Sequence, residues 1–172
     1  MKRLIISDLH LGSFHAKEQQ LLTFLSNNND FDELILAGDI IDFIIIPTFT
    51  EQTAKLFEFV SNFPGKVVYI VGNHDIPFKS CIGTEIFDIK FVDSWEFEEN
   101  DKKFRIEHGD RYETGIIHRK ALMKIIMVIQ DMLGRVFNWN LSAWWQHLFE
   151  NKRKAKRIWD ILQWNEDADV FI

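Results

Sequence analysis

Asp8-Leu9-His10, Gly38-Asp39-Ile40-Ile41-Asp42, Gly72-Asn73-His74-Asp75 and His108-Gly109-Asp110 are four short polar clusters, each placed where an apolar run gives out. Together they collect carboxylate, imidazole and amide groups, the oxygen and nitrogen donors that hold divalent cations. Asp8 and His10 lie two apart, so an extended segment points both the same way. Asp39 directly follows a glycine, which lets the backbone come close to a cation, and a carboxylate there can bridge two ions. Asn73 offers a neutral carbonyl oxygen and His108 a ring nitrogen. This donor set suits manganese, iron or zinc rather than cuprous copper or an iron–sulfur cluster. Two cations roughly 3.5–4 Å apart lower the pKa of a shared water and clamp the oxygens of an in-line displacement. That chemistry fits a phosphate ester or anhydride.

Asp8, His10, Asp39, Asn73 and His108 are therefore the candidate metal-holding residues. His74 and Asp75 are the candidate catalytic pair, because His74 sits beside a candidate ligand and could protonate the leaving oxygen. Asp42 and Asp110, or Asp75 itself, could orient the histidines from behind. Each cluster alone has an ordinary explanation: Asp8 could end a strand, Gly38-Asp39 could be a turn, and His108 could be a satisfied strand-end histidine. Four in one order point to a single dinuclear site built from distant loops. His15, His118 and His147 have no such partners and read as surface or core residues, with His118 near enough to the last cluster to touch substrate.

The elements that would carry these clusters are legible. Leu4–Ile6, Leu34–Ala37 and Val67–Val71 read as buried strands. Ala16–Leu25 has helical spacing, and Thr50 could cap a helix over Glu51–Phe63. Continuous apolar strands alternating with amphipathic helices imply parallel βαβ units with both sheet faces covered. Trp95–Glu98 and Phe104–Glu107 alternate about the turn Asn100-Asp101, a hairpin that delivers His108. The predicted class is α/β, mixed sheets in a sandwich flanked by helices, with a helical insertion over 112–164 and one more strand beginning at Asp169-Val170-Phe171-Ile172.

A chain of 172 residues with 47% apolar content implies one domain with a real core. One cysteine, Cys81, excludes a disulfide framework or a thiolate zinc site. The N-terminal apolar run is too short for a signal peptide, and no stretch reaches the roughly 20 apolar residues of a membrane span. The expected location is cytoplasmic. The net charge of −6 is uneven: residues 1–110 are acidic, whereas 111–164 are basic. Arg111, Arg119, Lys120 and Lys124, basic and just beyond the last cluster, are the candidate substrate-phosphate contacts.

Taken together, the clusters resemble the calcineurin-like metallophosphoesterase superfamily, whose pattern runs D-x-H, G-D-x-x-D, G-N-H-D/E, H and G-H-x-H. Four of the five blocks stand in order over residues 1–110. The resemblance implies that Asp8, His10 and Asp39 hold one divalent metal and Asp39, Asn73 and His108 the other, manganese first and iron or zinc as alternatives, with His74 as the catalytic histidine. Ser7-Asp8-Leu9-His10-Leu11 and His108-Gly109-Asp110, followed by a helical insertion, are similar to UDP-2,3-diacylglucosamine hydrolases, which implies a nucleotide-lipid substrate at the inner membrane surface. Those hydrolases carry Arg where this chain has His74. The fifth block is absent from these 172 residues, and the expectation is a truncated chain.

The Trp-rich region through Trp139, Trp144, Trp145, Trp159 and Trp164, beside Lys152-Arg153-Lys154, reads either as a cap packed on the sheet or as a peripheral membrane face. Nucleic acid is disfavoured because the acidic body repels phosphate backbones. The rival functions are a phosphodiesterase or phosphatase with a soluble substrate and a scaffold that binds partners without turnover.

Overall fold

The structure, a computed structural model, describes residues 1–110, 117–137 and 170–171, with side chains in the 117–137 helix described at 124–136. Three strands, β1 (Arg3–Ile6), β2 (Glu33–Ala37) and β3 (Lys66–Ile70), run parallel and are linked by helices α1 (Glu18–Asn27) and α2 (Glu51–Ser61). A hairpin of β4 (Glu85–Ile86) and β5 (Ile89–Val92) completes a five-stranded sheet of order β1-β2-β3-β5-β4, with β5 parallel to β3 and β4 antiparallel to β5. A second sheet contains the antiparallel strands β6 (Ser94–Glu99) and β7 (Lys102–Glu107), and β8 (Val170–Phe171) lies parallel to β7.

Both faces of β2 and β3 are covered because their side chains alternate between two cores. Leu34, Leu36, Val67 and Tyr69 join Leu25 of α1 and Leu56 of α2 on one side. Ile35, Ala37, Val68 and Ile70 pack with Ile106, Trp95 and Phe97 of the second sheet on the other. The parallel strands, the mixed sheets and the β6–β7 hairpin agree with the sequence expectation. Asn100 and Asp101 both take the left-handed backbone that the two-residue turn demands (φ 51° and 60°).

Thr50 caps α2 as its residue type suggests: its hydroxyl accepts from Thr53 N (3.2 Å), and the Thr53 hydroxyl accepts from Thr50 N (2.9 Å). Glu18 of α1 accepts from the hydroxyls of both threonines, which ties the two helices together.

The β4–β5 hairpin and a 3-10 helix over Ile76–Cys81 were not legible in the sequence. Of the predicted insertion, α3 (Ile117–Phe137) is described. The helices read over 141–149 and 152–164, with their tryptophans, lie outside the described residues. No described helix is long and apolar enough to cross a membrane.

Candidate metal centre

Because β1, β2 and β3 are parallel, their C-terminal ends open at one edge of the sheet, where α/β folds bind ligands. The loop after β1 carries Asp8 and His10, that after β2 carries Asp39 and Asp42, and that after β3 carries Asn73, His74 and Asp75. His108 follows β7 of the second sheet. Main-chain bonds stitch the first two loops together: Asp8 N to Gly38 O (3.1 Å), His10 N to Asp39 O (3.0 Å) and Leu11 N to Ile40 O (2.8 Å).

Asp8, His10 and Asp39 all sit at positive φ (54°, 46° and 54°), a left-handed conformation rare for residues with a side chain. Such strain costs on the order of 1–3 kcal/mol per residue and concentrates where function demands it. Two glycines make room. A Cβ on Gly38 (φ +86°) would overlap the His108 ring, and one on Gly72 would overlap the Asp39 carboxylate.

Two groups of side chains converge. Asp8, Asp39 and His108 form one, with donor atoms within 4.8 Å of one another; His10, Asp42 and His74 form the other. In the first, His108 Nε2 lies 3.2 Å from Asp39 Oδ2 and 3.1 Å from Asn73 Oδ1. Its Nδ1 is 3.3 Å from Ala37 O, which leaves Nε2 to face the carboxylate. Burial opposes a charge on His108, but the Asp39 carboxylate and the Ala37 carbonyl outweigh it and push its pKa up to about 9. Asp39 is buried, and this alone would raise its pKa; the bond from His108 and the His74 backbone N–H (2.8 Å to Oδ1) hold it below the usual carboxylate range instead.

In the second group, Asp42 Oδ1 meets His74 Nδ1 at 2.9 Å and Asp42 Oδ2 meets His10 Nδ1 at 3.4 Å. Burial works to raise the Asp42 pKa, but the two histidines overcome it and hold the carboxyl well below its ordinary range. His10 is raised: burial lowers its pKa, and the bond and charge of Asp42 more than offset that. The two imidazoles meet edge to face at 4.5 Å between centroids. His74 Nε2 is 3.8 Å from Asp39 Oδ2, so Asp39 stands between the two groups.

All five candidate ligands and His74 therefore gather at one edge. The grouping differs in one respect from the implied ligand set, since His10 is drawn to Asp42 and His74. Asp75 is set apart. Its carboxylate is fully buried and accepts from Tyr69 Oη (2.7 Å), Gly72 N (3.0 Å), Ile41 N (3.0 Å) and Ile40 N (3.4 Å). It braces the β2 and β3 loops, and Asp42, not Asp75, holds the histidines. Asp110 is half-buried, two residues past His108. Among the basic candidates, Lys124 is exposed on α3, Arg119 and Lys120 lie on α3 with their side chains outside the described set, and Arg111 lies outside the described residues.

Sequence reasoning passed over Asp131 and Arg135. Asp131 is buried, accepts Phe14 N (2.8 Å) and pairs with Arg135 (2.6 Å). The signal available was an i, i+4 acid–base pair interrupting an apolar stripe beside a glycine.

The donor set of carboxylate and amide oxygens and imidazole nitrogens, gathered in two adjoining groups, fits a divalent metal pair. A family model described as calcineurin-like phosphoesterase matches residues 1–169. The chain belongs to the calcineurin-like phosphoesterase family, and is accordingly a metal-dependent phosphoesterase. The crystal structure of the protein of unknown function AQ665 from Aquifex aeolicus is similar at 19% identity and a TM-score of 0.45, over 73% of this chain and 69% of that one. No curated protein matches the chain.

Proposed function

We propose that this chain hydrolyses a phosphoester or pyrophosphate bond of a small phosphorylated molecule, with His74 giving the proton to the leaving oxygen. The convergence of Asp39 Oδ2 and Asn73 Oδ1 on His108 Nε2 carries this reading, because it offers three donors to one point. Asp8, His10 and Asp39 would hold one cation and Asp39, Asn73 and His108 the other, manganese being the first candidate and iron or zinc next. When bound, the pair supplies positive charge to the phosphoryl oxygens and a water of lowered pKa.

The chain's own residues do the remaining work. Asp42 Oδ1 accepts a hydrogen bond from the Nδ1–H of His74, which fixes the ring and leaves Nε2 on the side of Asp39. A proton on Nε2 passes to the departing oxygen. Asp39 turns one oxygen toward the centre while the other is pinned by His74 N. In this reading Asp75 positions the loops rather than touching substrate, Asp110 supports the centre from behind, and Arg111, Arg119, Lys120 and Lys124 are the residues whose charge would suit the substrate phosphate.

A lipid-linked nucleotide substrate at the inner membrane surface is the second reading. Ile125, Val128, Ile129, Met132 and Val136 support it: they recur at helical spacing along α3 and are 36–68% exposed. The assay is hydrolysis of a chromogenic phosphodiester with Mn²⁺, with and without anionic phospholipid vesicles. Mn²⁺-dependent turnover abolished by chelator is expected, and no turnover with loaded metal would favour a non-catalytic scaffold. Co-sedimentation with the vesicles separates the lipid reading from a soluble substrate.

A further inference from the structure

The loop after β1 is unusual in its backbone and in what grips it. His10 (φ 46°) and Gly12 (φ 88°) both adopt left-handed conformations. Inward, the loop is satisfied by Asp39 O and Ile40 O, and His10 O accepts from Ser13 N (3.1 Å). Outward, Gly12 O and Phe14 N remain, and α3 takes both. Arg135 donates through Nη2 to Gly12 O (2.8 Å) and through Nη1 to Thr48 Oγ1 (2.5 Å), while Asp131 Oδ1 accepts Phe14 N (2.8 Å). Thr48 N also donates to Gly12 O (3.0 Å). Gly134 lies against the Phe14 ring so closely that a Cβ there would overlap it. A helix more than 100 residues away in sequence thus holds the main chain two to four residues past His10.

Left-handed backbone at a residue with a side chain persists only where its surroundings over-determine it. The α3 grip supplies that constraint at the outer side of the loop, as Asp42 does at the imidazole. We propose that Asp131 and Arg135 are positioning residues of the metal centre: from the insertion helix they set the place of His10, and with it the affinity of the cation that His10 helps to hold. The inference rests on the ligand role of His10 given above. It makes α3 part of the construction of the loop that bears Asp8 and His10.

The test is a Mn²⁺ titration of the full chain, following the two binding steps by calorimetry and chelator competition, with thermal unfolding alongside. Arg135→Met and Asp131→Asn are expected to weaken one step about 10–100-fold, the range seen when a supporting partner of a metal ligand is removed, and to leave the other within about twofold. Arg135→Lys should restore only part of the loss, because one ammonium cannot span Gly12 O and Thr48 Oγ1 as the guanidinium fork does. Thr48→Val removes a single contact and covers the case in which Arg135→Met does not fold; it should weaken the same step severalfold. His10→Ala is the reference. If it weakens one step while the α3 and Thr48 variants lower only the melting temperature, the positioning role is overturned. If His10→Ala leaves both steps intact, the ligand role fails and the positioning role with it.

Discussion

The two side-chain groups at the sheet edge are built from the same residue types yet are wired differently. Around His108, an exposed Asp8, a half-buried Asn73 and one oxygen of Asp39 point at a shared space. Around Asp42, both carboxylate oxygens are spent on ring nitrogens of His10 and His74. The first arrangement leaves lone pairs free for a cation. The second fixes imidazoles and governs where their protons sit. Asp39 belongs to both, through His108 at 3.2 Å and His74 at 3.8 Å. The lesson is that a carboxylate on one ring nitrogen leaves the other for a cation or a proton, so Asp42 can orient both His10 and His74 while Asp39 faces the centre itself.

Removing the relay should separate the two groups most sharply. His74→Asn is expected to lower kcat by about 10²–10⁴-fold, the usual contribution of a positioned acid, while metal content stays at the wild-type level. Asp42→Asn should fall short of that, at roughly 10–100-fold, because it only disorients His74 and His10. Steady-state kinetics beside elemental analysis decides the matter. Loss of both metals in His74→Asn would erase the distinction between the groups.

The pH dependence probes the other group. His108 is raised to about 9, so a proton occupies the site throughout the neutral range and binding must displace it. Mn²⁺ affinity should therefore climb about tenfold per pH unit for each proton displaced, flattening above about 9. For the metal-free protein the sign is reversed. The stability that His108 contributes is complete below its ordinary pKa near 6.5 and is lost as pH rises through about 9. Titrations at three pH values between 6.5 and 9 suffice, and a flat affinity would remove the proton from His108.

Tyr69→Phe is the mildest change. It takes one of four donors from Asp75 and should cost about 1–3 kcal/mol in denaturant unfolding, with kcat per folded molecule unchanged. A specific loss of kcat would move Asp75 from bracing the loops into the chemistry.

Much of this is legible in the residues themselves. The strands were legible because burial on both faces forces unbroken apolar runs such as Leu34–Ala37 and Val67–Ile70. The site was legible because its residues cluster at the strand ends. The β4–β5 hairpin was not, since strands of two and four residues give no periodicity and its turn uses Phe87 and Asp88 rather than glycine. Nor could spacing separate the roles of Asp42 and Asp75. Both follow a motif histidine or aspartate, but only three-dimensional contact shows one on imidazoles and the other on backbone N–H groups and Tyr69. Asp131 and Arg135 act through main-chain atoms of a distant loop, which leaves no trace in motif spacing.

The most direct test of the account is the metal stoichiometry of Asp39→Asn against wild type, by Mn²⁺ titration with elemental analysis. Among the described residues, Asp39 alone serves both groups. The account predicts two Mn²⁺ per wild-type chain and loss of both high-affinity steps in the variant, with the fold intact by circular dichroism. Retention of both cations at wild-type affinity would contradict it.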